Sequence, residues 1–265
     1  MQDIVTRVPA LAFVDMADVL VFARSGRSNA EGAFATCHCL SLPPSEPGYY
    51  FWRDRRSGEI TRRTEWFITR SPHVSIGQRS IKYMISFSVP RFCDQSLGRS
   101  RKGQFYRGVG TPPWLAKLDT VVHELYHIDP QLAGIRRIER EDGTTSASCH
   151  GPDFFQQVAG LVQTYLDSRP SPDAYDFLSH DFAALEERFG GVVSTAFRTF
   201  PSFPQRYLER LAEQMPCEAD GEGVRVEPLR PTRQAIRYTE DDLHIRQFTT
   251  TTSRRLIRKG AFRAA

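Results

Sequence analysis

Two histidines four residues apart, His123 and His127, belong to the run HELYH, whose residue types are those of a metal-dependent hydrolase. On a helix this spacing places both imidazoles on one face, where they can bind the same ion. Glu124 lies at the rim of that face, where its carboxylate can take a proton from a water activated by the ion. The run therefore predicts a zinc site with His123 and His127 as ligands and Glu124 as the general base.

The residues around this motif predict the helix that it requires. We expect Thr111 to cap the helix, Pro112 to be its first residue and Asp129-Pro130 to end it. Five apolar residues share one stripe of this helix, opposite the two histidines: Trp114, Leu118, Val121, Val122 and Leu125. One face of the helix should therefore pack in the core while the other faces the metal.

A catalytic zinc site needs a third protein ligand and an open position for water. His150 is the best candidate, because it precedes a predicted helix that starts near Gly151-Pro152 and continues to about residue 167. The alternative reading of His150 is a helix cap that binds no metal. Three carboxylates also remain open as third ligands: Asp153, Asp129 and Glu186.

HELYH and the downstream run HGPDF together resemble the SprT-like zinc metallopeptidases, the group that includes the Spartan DNA–protein crosslink proteases. The resemblance covers residues 75 to 170 and extends to related phage and prokaryotic metallopeptidases. It implies a zinc ion bound by His123, His127 and His150, with Glu124 as the base. Many SprT-like proteins also carry a C-terminal zinc ribbon with four cysteines, a pattern that is missing from this sequence.

Peptide-bond hydrolysis at such a site also needs a group that stabilises the oxyanion. The sequence offers four candidates for that role and does not choose among them: Tyr83, Tyr126, Arg136 and Arg137. Asp119 lies one helical turn before His123, where it either orients the imidazole or is a solvated acid.

The order of the elements predicts an α+β fold built as a minimal zincin-like domain, with a small mixed sheet, the HELYH helix and a second ligand-bearing helix. A short helix at 11–22 should lead into a strand, and further strands are predicted at 33–42, twice within 48–70, and at 80–89. The strand at 80–89 is either the sheet edge that holds an extended peptide beside the metal helix or an interior strand.

We expect the metallopeptidase domain to span 1–190 and a helical and extended appendage with a basic tail to span 191–265. Helices are predicted at 173–189 and 203–215, and a hairpin within 234–250.

Composition favours a protein of the reducing cytoplasm, because the five cysteines are scattered and odd in number. No apolar run approaches the ~18 residues that cross a bilayer. Cys37-His38-Cys39 resembles a metal motif, but side chains alternate along a strand and these three cannot converge there. Cys149 is expected to be an ordinary thiol, the alternative being an extra zinc ligand.

Basic residues are concentrated in two stretches, with thirteen Lys/Arg against four Asp/Glu in 53–107 and ten against four in 225–263. Interleaved with aromatics, such stretches suit single-stranded DNA, or else form a solvated basic face. The leading hypothesis is a zinc metalloendopeptidase for protein or peptide substrates, some of them associated with DNA. The alternatives are a nucleic-acid-binding or regulatory protein with a structural or vestigial zinc site, and a phage-associated or toxin-type metalloprotease without DNA dependence.

Overall fold

In a computed structural model, the protein is described at residues 1–25, 32–40, 46–48, 51–53, 60–63, 67–70, 73–97, 101–106, 112–132, 134–136, 150, 153–197, 205–208 and 237–250. The helices are α1 (Gln2–Arg7), α2 (Pro113–Tyr126), α3 (Phe154–Asp167) and α4 (Phe182–Phe189). The strands are β1 (Val19–Ser25), β2 (Ala35–Cys39), β3 (Glu46–Gly48), β4 (Phe51–Arg53), β5 (Ile60–Arg63), β6 (Phe67–Arg70), β7 (His73–Ile76), β8 (Arg79–Ile81), β9 (Tyr83–Val89), β10 (Val192–Phe197), β11 (Gln205–Leu208), β12 (Arg237–Tyr238) and β13 (Leu243–Phe248). This mixture of helices and small sheets confirms the α+β class, while the zincin-like arrangement stays a prediction.

The sheet beside α2 has the order β1-β9-β2, with β9 parallel to β1 and antiparallel to β2. The predicted strand at 80–89 is divided at Lys82 between β8 and β9. Both faces of β9 are covered, since Tyr83 is 1% exposed and its neighbour Met84 is fully buried. The suggestion that this strand is an edge is therefore wrong, because β9 has a neighbour on each side and the strand against α2 is β2.

The remaining strands form four small sheets among the described residues: β10-β13, β11-β6-β3, β12-β7-β8 and β4-β5. The antiparallel pair β4–β5 confirms the two strands predicted within 48–70, and the segment that connects them lies outside the described residues. In place of the short helix predicted at 11–22 there are two single 3₁₀ turns, Pro9–Leu11 and Met16–Asp18, and then β1.

Two predictions for the C-terminal part are wrong. The helix expected at 203–215 is strand β11 where it is described, paired with β6. The hairpin expected within 234–250 does not form, because β12 pairs with β7 and β13 pairs with β10. Both errors have one cause: these short segments take distant partners, which local periodicity does not encode. The domain boundary at residue 190 stays a prediction, although Ser194 Oγ of β10 accepts a hydrogen bond from the Ala23 N–H of β1 at 2.9 Å.

Helix α2 begins one residue later than predicted, since Pro112 is the extended N-cap and Pro113 the first helical residue. Proline suits this position because its missing N–H would have no partner in the first turn. Thr111, the expected cap, lies outside the described residues. The expected apolar face is buried, with Leu118 at 1% exposure and Val122 fully covered. The opposite face is covered as well, so every residue from 115 to 125 is buried.

Helix α3 follows the prediction, with its apolar side against α2. Its C-terminal half is connected to the start of the chain, because Tyr165 donates its hydroxyl to Asp3 at 2.7 Å. No helix within the described ranges combines the length and the apolar character needed to cross a membrane.

Candidate metal centre

The α-helical geometry of α2 brings His123 and His127 together as the sequence predicts. Their Nε2 atoms are 3.0 Å apart, and their rings meet edge to face. Both side chains are buried although they lie opposite the apolar stripe, with exposures of 8% and 6%. The helix therefore presents two imidazoles into the interior of the protein.

His150 completes the group from the segment that precedes α3. Its Nε2 lies 3.0 Å from Nε2 of His123 and 3.1 Å from Nε2 of His127. Three neutral imidazoles cannot satisfy one another at such a meeting point, because a proton on one nitrogen bonds at most one neighbour well. A cation bound by all three nitrogen atoms resolves this conflict, and the three histidines form a group that could hold a metal ion.

The imidazoles are held in the neutral form that binds metals. Burial is the main cause that lowers the pKa of His123 and that of His127, the latter to about 3, and the charge of Lys102 contributes to both shifts. The pKa of His150 is lowered by the same two causes, although this residue is exposed. Because protonation competes with metal binding, low pKa values keep the nitrogen lone pairs available near neutral pH.

Phe154 forms the floor beneath the three rings. It is fully buried, and its ring centroid lies 4.8 Å from His123, 4.9 Å from His127 and 4.8 Å from His150. Phe155 stacks on His150 at 5.6 Å with an interplanar angle of 15°. The first turn of α3 thus packs against the ligands directly, which explains why the helix start follows His150 so closely.

Glu124 lies in the same cavity, of about 330 Å³, as the three histidines. Glu124 is only 4% exposed, and this burial raises the pKa of its carboxyl group to about 7. Three interactions limit this increase of the pKa: a hydrogen bond from the backbone N–H of Cys37, and then the positive charges of Lys102 and Arg24. A carboxylate with a pKa near the working pH is suited to accept and return a proton.

Strand β2 forms the opposite wall of this cavity. Phe34, just before β2, accepts a hydrogen bond from Ser88 of β9 at 2.8 Å, and main-chain groups alternate in direction along an antiparallel pair. The N–H and C=O groups of Ala35 and Cys37 therefore point away from β9, toward the cavity. The bond from Cys37 N–H to Glu124 fits this direction.

Lys102 contributes the cavity's positive charge and was not predicted from the sequence. It belongs to a 3₁₀ helix, Arg101–Tyr106, and its ammonium forms an ion pair with Asp119. Tyr106 donates its hydroxyl to the other Asp119 oxygen at 2.6 Å. Asp119 is therefore neither a solvated acid nor a partner of His123; it is a buried anchor for Lys102. No short sequence motif predicts this contact, because nothing in the spacing of Lys102 and Asp119 distinguishes this lysine from the others in its basic stretch.

The carboxylates considered as third ligands lie outside the histidine group. Asp129 accepts the N–H of Gln131 at 3.0 Å, and Glu186 accepts the N–H of Thr250 at 2.8 Å. Asp153 is exposed and occupies the N-cap position of α3. Among the alternatives, the structure therefore brings His150 to the other two histidines.

Of the four groups predicted for the oxyanion, two tyrosines donate elsewhere, and Arg136 does not line the cavity of the three histidines. Tyr83 donates its hydroxyl to the Gly134 carbonyl at 2.7 Å, and Tyr126 donates to Gln157 at 2.9 Å. The Arg136 guanidinium stacks over the Tyr126 ring at 4.1 Å. The fourth candidate, Arg137, lies outside the described residues, as does Cys149.

Much of both basic stretches also lies outside the described residues. Of the described members, Arg79 and Lys82 form ion pairs with Asp18, and Arg91 lies over the ring of Phe34. The strand at Cys37-His38-Cys39 has the expected alternation, and His38 hydrogen-bonds Ser86 at 3.2 Å on β9.

Comparison with protein-family models, with curated proteins and with solved structures finds no match for this chain. Its activity is therefore inferred from the arrangement of its own residues.

Proposed function

We propose that this protein is a zinc-dependent metalloendopeptidase. The observation that carries the proposal is the convergence of three Nε2 atoms within 3.1 Å of one another, with the Glu124 carboxylate in the same cavity. Three neutral histidines with an acidic group beside them are the donor set of a hydrolytic zinc site, which keeps one position open.

The nitrogen geometry supports zinc. At a Zn–N distance of ~2.05 Å, tetrahedral coordination separates ligand nitrogens by about 3.3 Å. The separations of 3.0–3.1 Å are slightly smaller, a difference that small rotations of the rings can supply. Imidazole ligands also suit copper, iron and nickel, so the metal assignment needs direct analysis.

A bound zinc ion would lower the pKa of a water in the open position and polarise the carbonyl of the scissile bond. Glu124 takes a proton from the attacking water on its carboxylate and returns it to the nitrogen of the leaving amine. A pKa of about 7 suits both transfers, because the group is then neither too weak a base nor too weak an acid at neutral pH.

The outer edge of β2 supports an extended substrate. The N–H and C=O of Ala35 and the C=O of Cys37 point toward the cavity, where a peptide can add as a further strand, while the Cys37 N–H is bonded to Glu124. Main-chain pairing of this kind recognises an extended backbone whatever its side chains are, so unfolded segments are the proposed substrates. It also places the peptide between β2 and the histidines.

The likeness of HELYH and HGPDF to the SprT-like enzymes is consistent with this assignment. Substrates associated with DNA remain part of the proposal only through that likeness and the basic stretches. Added single-stranded DNA tests this part: faster cleavage of a DNA-binding substrate, but not of a free peptide, would support it.

Hydrolysis of unfolded casein and of fluorogenic peptides by the zinc-loaded protein tests the main proposal. We expect Glu124→Gln to lose activity by at least two orders of magnitude while keeping one zinc per chain. Retained activity in that variant, with its metal content confirmed, would show that Glu124 is not the base.

A matched pair of variants tests the third ligand. His150→Ala should lose most of its bound zinc, whereas Asp153→Ala, three residues away, should retain it. The opposite pattern would transfer the third ligand to Asp153, and full occupancy in both variants would refute His150 as a ligand.

A further inference from the structure

Lys102 is the only lysine or arginine among the described residues that line the cavity of the three histidines. Its side chain is 19% exposed, while that of its ion-pair partner Asp119 is 2% exposed. The ammonium of Lys102 thus lies against a buried carboxylate, while its side chain lines the cavity and keeps some contact with solvent. A cation required only to neutralise Asp119 has no need to line that cavity.

The position of the ammonium is set by a rigid anchor. Asp119 lies four residues before His123 in α2, so the carboxylate that anchors Lys102 and the metal-binding imidazole lie on the same face of one helix. Tyr106 holds the second carboxylate oxygen at 2.6 Å, which restricts rotation of the Asp119 side chain. The ammonium also lies 5.9 Å from the centre of the Phe155 ring, which stacks on His150.

Two independent contacts therefore place the ammonium beside Asp119, one helical turn before His123, and near the ring that stacks on His150. Its positive charge acts on Glu124 and on the three histidines, since it contributes to lowering the pKa of each of these side chains. The hydroxyl groups of Tyr83 and Tyr126 have other acceptors, and Arg136, which stacks on Tyr126, does not line the cavity.

We propose that Lys102 is a catalytic residue whose ammonium binds the carbonyl oxygen of the scissile peptide bond and stabilises its negative charge in the transition state. This inference rests on the proposed peptidase function. Water oxygen bonds to the carbonyl carbon, the carbonyl π electrons move to oxygen, and an N–H of Lys102 donates to that oxygen. When the C–N bond breaks, the electrons return to form the carboxyl group and the amine takes its proton from Glu124. Lys102 keeps its proton throughout.

A fixed donor aimed at a developing oxyanion typically contributes about 10²–10³ in kcat. Lysine suits this role because an ammonium carries three N–H donors, so it can serve an anchoring carboxylate and a substrate oxygen at the same time. Asp119 sets the direction of the ammonium and is a positioning residue.

The test compares Asp119→Asn with the double variant Lys102→Met/Asp119→Asn. Both lack the buried carboxylate, and the two variants differ only in whether the ammonium of Lys102 is present. Thermal unfolding of the metal-free proteins establishes that the two variants fold alike. Zinc content after loading establishes that they bind the same amount of metal. We expect kcat of the double variant to fall by about 10²–10³ from wild type, with KM changed by less than about threefold. The single variant should lose less.

The second measurement is binding of a phosphinic peptide, which mimics the tetrahedral transition state. Its affinity for the double variant should fall in parallel with kcat/KM. Equal kcat values and equal phosphinic-peptide affinities in the two variants would overturn the proposal and leave Lys102 as a structural partner of Asp119. If zinc-loaded wild type hydrolyses no peptide, the peptidase proposal fails, and the phosphinic-peptide comparison still decides whether Lys102 binds a tetrahedral oxyanion.

Discussion

Replacing Phe154 should weaken metal binding by more than the accompanying loss of folding stability can account for. The ring is fully buried and lies within 4.9 Å of each of the three imidazole centroids. Leucine at this position keeps most of the apolar volume but removes three aromatic contacts, each worth about 0.5–1.5 kcal/mol. We expect Phe154→Leu to lower the free energy of unfolding of the metal-free protein by about 1–3 kcal/mol.

The same substitution removes the surface that orients the ligands. Groups that orient metal-bound histidines typically change metal affinity by about 10–100-fold, and we expect a loss in this range for Phe154→Leu. Val158→Ala is the matched control, because Val158 is also fully buried one turn further along α3. It should cost a comparable ~1–2 kcal/mol in stability but change zinc affinity by less than about threefold.

Urea unfolding followed by circular dichroism measures the stabilities, and competition with a chromogenic chelator measures zinc affinity. If both variants lose the same affinity per kcal/mol of stability, metal binding responds only to general destabilisation. The reasoning that Phe154 orients the imidazoles would then be refuted.

Three further substitutions have expected effects on unfolding in urea. Lys117→Met should cost about 2–3 kcal/mol, because the buried ammonium donates to two backbone carbonyls at 2.8 and 2.5 Å that would lose their donor; an unchanged midpoint would contradict this. Gly191→Ala should cost at least about 2 kcal/mol, since φ is +113° and a Cβ would lie 2.3 Å from the Phe248 carbonyl oxygen; a cost below ~0.5 kcal/mol would show that the turn adapts. Asp18→Asn should cost about 1 kcal/mol at pH 7, because hydrogen bonds, the largest from Lys82, lower the pKa of the carboxyl group in the folded state. That stabilisation is present above the ordinary Asp pKa and is lost as the pH falls through the lowered folded value, so wild type and variant should converge at acidic pH; a constant difference would exclude this carboxylate as its source.

The parts of the site that local sequence determines could be predicted. His123 and His127 needed only the period of a helix, and proline and aspartate residues marked its ends to within a few residues. His150 was predicted because a recognisable helix start follows it. In each case the relevant contact spans few residues, so periodicity and end signals carry the information.

The other half of the site depends on strand order, which periodicity does not encode. The alternating pattern at 80–89 shows a strand but not its neighbours, and the strand expected after the helix at 11–22 was predicted without its parallel partner β9. With β1 on one side of β9 and β2 on the other, β2 is the outer strand on the cavity side within the part of the chain that the structure describes. Lys102 was missed for a related reason, since its importance comes from Asp119, seventeen residues away.

The burial of α2 on both faces has a consequence for the kinetics of metal exchange. Two ligands are fixed in a helix that cannot move without opening the core, whereas His150 is exposed. Dissociation should therefore begin at His150 and stall with the ion still bound by two histidines, which favours rebinding over escape. Metal loss and deuterium exchange at the α2 amides should then respond differently to denaturant, because only exchange requires the helix itself to open.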